Sequence, residues 1–75
     1  MKLVRVEWLD SHIMPTWTRD APETAALKCR TVGWLVHDGK DAKTLAASVT
    51  DEDAPQLCCQ ITIPTAAIVR TKVLK

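Results

Sequence analysis

The sequence predicts a single all-β domain in which five short antiparallel strands close into a small barrel. Three observations predict this fold class. Apolar and polar residues alternate through several short segments, as they do in half-buried strands. Clusters of Asp, Gly and Pro separate those segments, as turns require. The length of 75 residues fits one domain close to the size at which a hydrophobic core alone can hold a fold.

The first strand is predicted over residues 3–9, LVRVEWL, where strict alternation places one set of side chains on the inner face. That inner set is Val4, Val6 and Trp8. Residues 10–25 show no such period and contain prolines, so they predict a long loop. Within the loop, a helical turn is predicted over residues 21–26, because Asp20 can cap a helix and Pro22 fits its first turn.

The second strand, predicted over residues 27–37, is the longest and is apolar on both faces towards its end. It is therefore expected to be central and bent. Gly33 is predicted to mark sharp curvature or a close approach by another backbone. Asp38 and Gly39 then predict a hairpin turn, because glycine accepts a positive φ without steric cost.

The third strand is predicted over residues 44–50 and the fourth over residues 57–63. The expected inward side chains of these two strands are Leu45, Ala47, Val49, Leu57, Cys59, Ile61 and Ile63. Pro64 ends the fourth strand, a helical turn follows at residues 65–67, and residues 68–74 form the last strand. This order of elements is similar to Src-homology-3-like and Sm-like barrels, in which one tight helical turn joins the last two strands.

The charges are nearly balanced, with Lys and Arg numbering 10, Asp and Glu numbering 9, and a net charge of +1. Proteins dedicated to nucleic acid usually have a clear basic excess, so nucleic acid is not the favoured partner. The chain begins with an apolar run that Arg5 and Glu7 interrupt, and no segment approaches the length of a membrane span. We expect a cytoplasmic protein with no membrane partner.

The cysteines Cys29, Cys58 and Cys59 have no CxxC spacing that would suggest a zinc or redox site. Cys58 and Cys59 are adjacent, so on a strand they are expected to point to opposite faces. Free thiols of this kind are most often small buried apolar residues in a reducing cytosol. The sequence therefore predicts structural, unpaired cysteines.

Catalytic signatures are absent from the sequence. His12 and His37 do not lie in a ligand-spaced cluster, and the chain has neither a GxSxG elbow nor a phosphate-binding glycine loop. The carboxylates at 51–53 are typical of a solvated turn. We expect no catalytic residue, no metal and no cofactor, and so a protein that is not an enzyme.

The long loop holds the candidate ligand-binding residues. Trp17 lies where no core periodicity demands an indole, which favours a stacking platform for a base or an anchor for a protein. Neighbouring hydroxyl and charged groups would suit a small nucleotide. The full candidate set is Asp10, Ser11, Thr16, Trp17, Thr18 and Arg19. The alternative for Trp17 is a lid folded back over the barrel end, and the alternative for the polar residues is a solvated loop.

Two further surfaces are predicted on the strands. One face of the second strand holds Val32, Trp34 and Val36, and this apolar face predicts either a part of the core or an interface for self-association. A basic stripe is predicted across neighbouring strands, formed by Arg5, Lys28, Arg30, Arg70 and Lys72. The alternative for the stripe is the ordinary solvated charge of outward-facing strand positions.

Four short segments carry a resemblance to known proteins: VEWLDS at 6–11, TVGWLV at 31–36, LAAS at 45–48 and IPTAAIVR at 63–70. In kind and order they resemble a family of uncharacterised proteins encoded by tailed bacteriophages and prophages, in which a second tryptophan follows in the first loop, at the place of Trp17. The resemblance implies a phage context, and hence a role in host takeover, counter-defence or virion assembly. It supplies no activity.

The expected function is therefore that of a non-enzymatic phage accessory binding protein that acts in counter-defence. Its partner would be a host immune protein or a small nucleotide signal, and it is expected to form a homo-oligomer. Two alternatives remain open. One is a small barrel that binds single-stranded nucleic acid by stacking, and the other is a structural or adaptor protein of the virion.

Overall fold

The computed structural model of the protein describes residues 1–11 and 13–75. Within these ranges, the strands are β1 (Lys2–Asp10), β2 (Leu27–Asp38), β3 (Ala42–Val49), β4 (Leu57–Pro64) and β5 (Ile68–Val73). All neighbouring strands are antiparallel, and their order in the sheet is β4-β3-β2-β1-β5. A 3-10 turn at Thr65–Ala67 joins β4 to β5. The arrangement is a small, β-barrel-like all-β fold.

The predicted fold class is confirmed, and each strand begins and ends within two residues of its predicted bounds. The helical turn at residues 65–67 is also confirmed. The helical turn predicted over residues 21–26 is wrong, because those residues have no helical structure and are all exposed. One turn fixes several dihedral angles for a single hydrogen bond, so it forms only where packing supports it.

The core forms where non-adjacent strands meet. Val4 and Val6 of β1 are fully buried against Leu45 of β3 and Ile63 of β4. Because β1 and β3 are not neighbours in the sheet, this contact requires the sheet to curl on itself. Half-buried apolar side chains surround the cluster, among them Trp8, Leu35, Ile61, Ala67 and Ile68. Each large side chain buried in this way contributes about 1.5–3 kcal/mol to stability.

Gly33 permits the curl. It pairs with Val4 on β1, and a Cβ atom at its position would lie 3.0 Å from the Ala46 carbonyl oxygen and 3.1 Å from the Leu45 Cβ. The predicted close approach of another backbone is therefore confirmed. The bend of β2 comes further along, where the register with β3 shifts between Leu35 and His37.

The hairpin between β2 and β3 differs from its prediction in one respect. The turn lies where Asp38 and Gly39 predict it, but Gly39 does not adopt a positive φ. The backbone N–H of Gly39 instead donates to the Ala42 carbonyl oxygen at 3.0 Å, across a wider turn. An ion pair between Lys43 and Asp38 joins the two strands beside it. A wider turn spreads the change of direction over more residues, so no residue needs the left-handed conformation.

Two predictions for β3 and β4 are wrong. Ala46 is fully buried and Ala47 is exposed, whereas Ala47 was the predicted inward residue. Trp34 is the cross-strand partner of Ala46 on the same face, in position to cover it. Cys58 and Cys59 are exposed rather than buried, because this end of the β3–β4 hairpin extends past the core.

Substituting Gly33 by Ala is expected to lower the free energy of unfolding by about 1–3 kcal/mol, because the new methyl group meets backbone and a buried side chain. Gly39→Ala is the matched control. Its Cβ would meet mainly the movable end of the His37 side chain, and its φ is not positive, so we expect a change within about 0.5 kcal/mol. Urea unfolding of both variants measures the difference. Equal stability of Gly33→Ala and wild type would contradict the assigned role.

Candidate functional site

The residues of the predicted basic stripe lie on one continuous outer face. Glu7 of β1 pairs with Arg30 of β2 on one side and with Arg70 of β5 on the other. Arg5 pairs with Lys72 of β5. Directly paired residues project to the same face of a sheet. We call this surface the basic face, and its cationic members are Arg5, Lys28, Arg30, Arg70 and Lys72.

Glu7 lies at the centre of the basic face. Its Oε1 accepts a hydrogen bond from Arg70 Nη2 at 3.1 Å and lies 4.0 Å from the Nε atoms of both Arg5 and Arg30. The hydrogen bond from Arg70 and the nearby guanidinium charges hold the pKa of the Glu7 carboxyl below its usual value, although partial desolvation opposes them. Glu7 is therefore ionised at neutral pH and ties the three arginines together.

Positive charge remains in excess on this face. One carboxylate stands against five cations, while the whole chain has a net charge of only +1. The rest of the molecule is therefore net acidic, and the charges are segregated. Among the described residues, Arg5 Nε is buried and has no hydrogen-bond partner. The excess of cations gives the basic face a local positive charge that would attract an anionic group, and the overall charge of the chain does not indicate this.

An open groove of about 730 Å³ borders the basic face. Its apolar part comprises Trp8, Leu9 and Val69, and its cationic rim comprises Lys28, Arg30 and Arg70. The indole is fixed because Trp8 Nε1 donates to Thr31 Oγ1 at 3.0 Å. A β-bulge positions the groove, since the pairing of β1 with β5 shifts register between Glu7 and Trp8. This groove could not be predicted from the sequence, because a bulge of this kind leaves no clear signal in the alternation of apolar and polar residues.

The predicted apolar interface adjoins the basic face. Val32 pairs with Arg5 and is 54% exposed. Trp34 lies two residues further along β2, is half-buried and pairs with Leu3. Val36 is half-buried and lies at the register shift between β2 and β3. Val32 and Trp34 therefore extend the basic face with apolar surface.

The long loop projects from the barrel, and we call residues 11–26 the arm. Every described residue of the arm is exposed. Trp17 is 104% exposed and Ile13 is 83% exposed, and Met14 is also exposed. The radius of gyration is 15.7 Å, compared with about 11 Å for a compact chain of this length. Trp17 does not fold back over the barrel, so the lid alternative does not describe its position.

The candidate residues of the arm do not meet in one pocket. Thr16 and Thr18 line an open groove of about 530 Å³ that also contains the carboxylates of Asp20 and Glu23, which disfavour a phosphate. Neither Trp17 nor Arg19 lines that groove. Within the loop itself, Thr18 Oγ1 accepts a hydrogen bond from the Asp20 backbone N–H at 3.0 Å.

Two other candidates lie at the base of the arm, where the Asp10 carboxylate accepts a hydrogen bond from the Ser11 backbone N–H at 2.8 Å. This bond satisfies the backbone N–H of Ser11. His12 lies outside the described residues. His37 is exposed at the end of β2. Among the described residues, no group of three His, Cys, Asp or Glu side chains could hold a metal ion.

Comparison with known protein families, with curated proteins and with solved structures finds no match in any of the three. In the part of the chain that the structure describes, no helix has the length and apolar composition needed to cross a membrane.

Substituting Glu7 by Gln is expected to destabilise the protein at neutral pH, because three arginines lose their shared carboxylate. The folded-state pKa of Glu7 is lowered, so its stabilising effect is present above the pKa of the unfolded chain. That effect is lost as the pH falls through the folded-state value. The stability difference between wild type and Glu7→Gln should therefore shrink below pH 4.5. Urea unfolding over a pH series measures it, and a pH-independent difference would assign the effect to packing.

Proposed function

We propose that this chain is a non-enzymatic binding module of a phage or prophage, and that its arm binds a host protein in the bacterial cytoplasm. The observation that supports the proposal is the exposure of three large apolar side chains on the arm. These are Ile13, Met14 and Trp17. The phage context comes from the resemblance of the short sequence segments, and counter-defence is the role it favours.

The exposure of Trp17 favours a protein partner. An indole that contacts nothing in its own chain loses the free energy that its burial would provide, and tryptophan is enriched among the residues that dominate protein interfaces. Loops longer than about 12–15 residues without secondary structure of their own are usually functional or disordered. The arm is such a loop, and it is held at both ends by the paired strands β1 and β2.

A protein partner is better supported than a nucleotide signal. The groove of the arm contains two carboxylates and neither Trp17 nor Arg19. A nucleotide would need the indole and a cation on the same side of one pocket, so that stacking and phosphate contacts could form together. An exposed apolar arm requires only a complementary protein surface.

Self-association is part of the proposal. The core is small, and several large apolar side chains on the barrel strands are exposed, including Val32, Val69 and Val73. Monomeric proteins rarely leave wide apolar surface uncovered, and small domains often gain buried area by forming oligomers. The surface around Val32 and Trp34 is the proposed contact between copies.

A second candidate function is the binding of single-stranded nucleic acid on the basic face. The observation that favours it is the segregation of charge, with five cations around Glu7 and the apolar surface of Val32 and Trp34 beside them. Such sites usually combine two features. Cationic side chains follow the phosphate backbone of the nucleic acid, and aromatic side chains stack on its bases.

Trp17→Ala is expected to abolish capture of a protein from the lysate of a bacterial host, or to weaken the captured complex at least about tenfold. The stability of the variant should stay within about 0.5 kcal/mol of wild type, because Trp17 contacts nothing in the fold. Thr16→Ala, in the same arm, is the matched control. Affinity capture with quantitative mass spectrometry measures the effect.

Three results would count against the binding of a host protein by the arm. They are capture of the same protein by Trp17→Ala as by wild type, loss of capture by Thr16→Ala alone, and capture of virion proteins only. The last result would favour the structural alternative. A change in Trp fluorescence on addition of a small nucleotide would instead favour the nucleotide form of counter-defence.

Binding of a fluorescent oligothymidylate is expected to weaken strongly with salt if the second function holds. Combining Arg30→Ala with Arg70→Ala should reduce the slope of log affinity against log salt by roughly 0.7 for each lost phosphate contact. Lys40→Ala removes an exposed cation in the turn after β2 and serves as the control. Fluorescence anisotropy measures the slopes. Equal losses for Lys40→Ala and for the arginine variant would contradict a site on the basic face.

A further inference from the structure

Cys58 and Cys59 are neighbours in sequence and their sulfur atoms are also neighbours in space. The two Sγ atoms lie 3.4 Å apart. Consecutive side chains of a regular strand project to opposite faces, which separates their ends. The backbone of Cys59 explains the difference, since its φ of 57° lies in the left-handed region. This conformation turns the second side chain towards the first.

The left-handed conformation of Cys59 is confined to one residue. The pairing of β3 with β4 is regular on both sides of it, with Ser48 opposite Cys58 and Ala46 opposite Gln60. A residue with a β-carbon adopts a positive φ only at a cost in free energy, and it keeps that conformation where the surrounding structure enforces it. The flanking pairs of the ladder therefore hold the two thiols together.

The pair is open to reagents. Both side chains are exposed, and β4 is an edge strand of the sheet. The remaining cysteine, Cys29, lies on β2 and is half-buried. Among the described residues, no third His, Cys, Asp or Glu completes a metal-binding group around the pair. The geometry therefore suits thiol chemistry better than a zinc site, which needs four ligands.

We propose that Cys58 and Cys59 form a redox-active vicinal dithiol, which a low-molecular-weight disulfide converts to an intramolecular disulfide. In the first step the thiolate of one cysteine attacks a sulfur of the reagent, so a mixed disulfide forms and one reagent thiolate leaves. In the second step the other cysteine attacks the protein sulfur of the mixed disulfide. The intramolecular disulfide forms and the second reagent thiolate leaves. Two protein thiols are oxidised, the reagent is reduced to two thiols, and the two protons pass to the departing thiolates.

The hydrogen bond between the two thiols also affects the ionisation of Cys59. That bond raises the pKa of the Cys59 thiol, and the charge of a neighbouring Cys58 thiolate and partial desolvation act in the same direction. Cys59 therefore ionises less readily than an ordinary cysteine.

The test uses the full chain with Cys29→Ser, which leaves only the two thiols of the pair. The protein is equilibrated with mixtures of reduced and oxidised glutathione, quenched in acid, alkylated and weighed intact. We expect a product that has lost two hydrogens and that has no glutathione attached. The single variants Cys58→Ser and Cys59→Ser should accumulate the glutathione adduct, because each lacks the second thiol. Accumulation of the adduct or of a covalent dimer when both thiols are present would overturn the proposal.

A second measurement separates the contribution of the fold from the mere adjacency of the two residues. The same equilibrium is measured in urea, where the chain is unfolded. Since the fold already holds the sulfurs 3.4 Å apart, we expect the closing equilibrium to be at least about tenfold more favourable in the folded protein. An equal or more favourable equilibrium in the unfolded chain would show that the ladder around Cys59 does not promote closure, and would overturn the proposal.

Discussion

The packing of β1 against β3 across a glycine is the contact on which the rest of this structure depends. Gly33 lies on the inner face of β2, between Val4 on one neighbouring strand and Leu45 on the other. Because it has no side chain, Leu45 can reach over β2 to the core residues of β1. The sheet then curls, and Ile63 of β4 completes the cluster. Any larger residue at this position would separate the two halves of the core.

The curl also organises the outside of the molecule. Since β1 lies between β2 and β5, these two strands place Arg30 and Arg70 on either side of Glu7. A bulge beside Glu7 opens the groove in which Trp8 and the cationic rim meet. A chain that is almost neutral as a whole thus has a cationic face. The composition alone does not indicate such a surface for nucleic acid, because it gives only the net charge.

The size of the core limits what the barrel can stabilise. Among the described residues, few side chains are fully buried, whereas many apolar side chains are exposed. The arm adds Trp17, which is fully exposed. A domain with so little internal burial gains most from surfaces that a partner or a second copy can cover. This supports a binding function, and it makes the arm and the surface at Val32 the places to look for partners.

The sequence by itself determined the strands, their order and the helical turn at residues 65–67, because alternation and turn residues act locally. It also indicated the close approach at Gly33. Only the tertiary structure decided which cations share a face with Glu7 and that Cys59 meets Cys58. Those outcomes depend on register shifts and on one left-handed residue. Such features follow from the balance of many weak contacts across strands, and no short stretch of sequence specifies that balance.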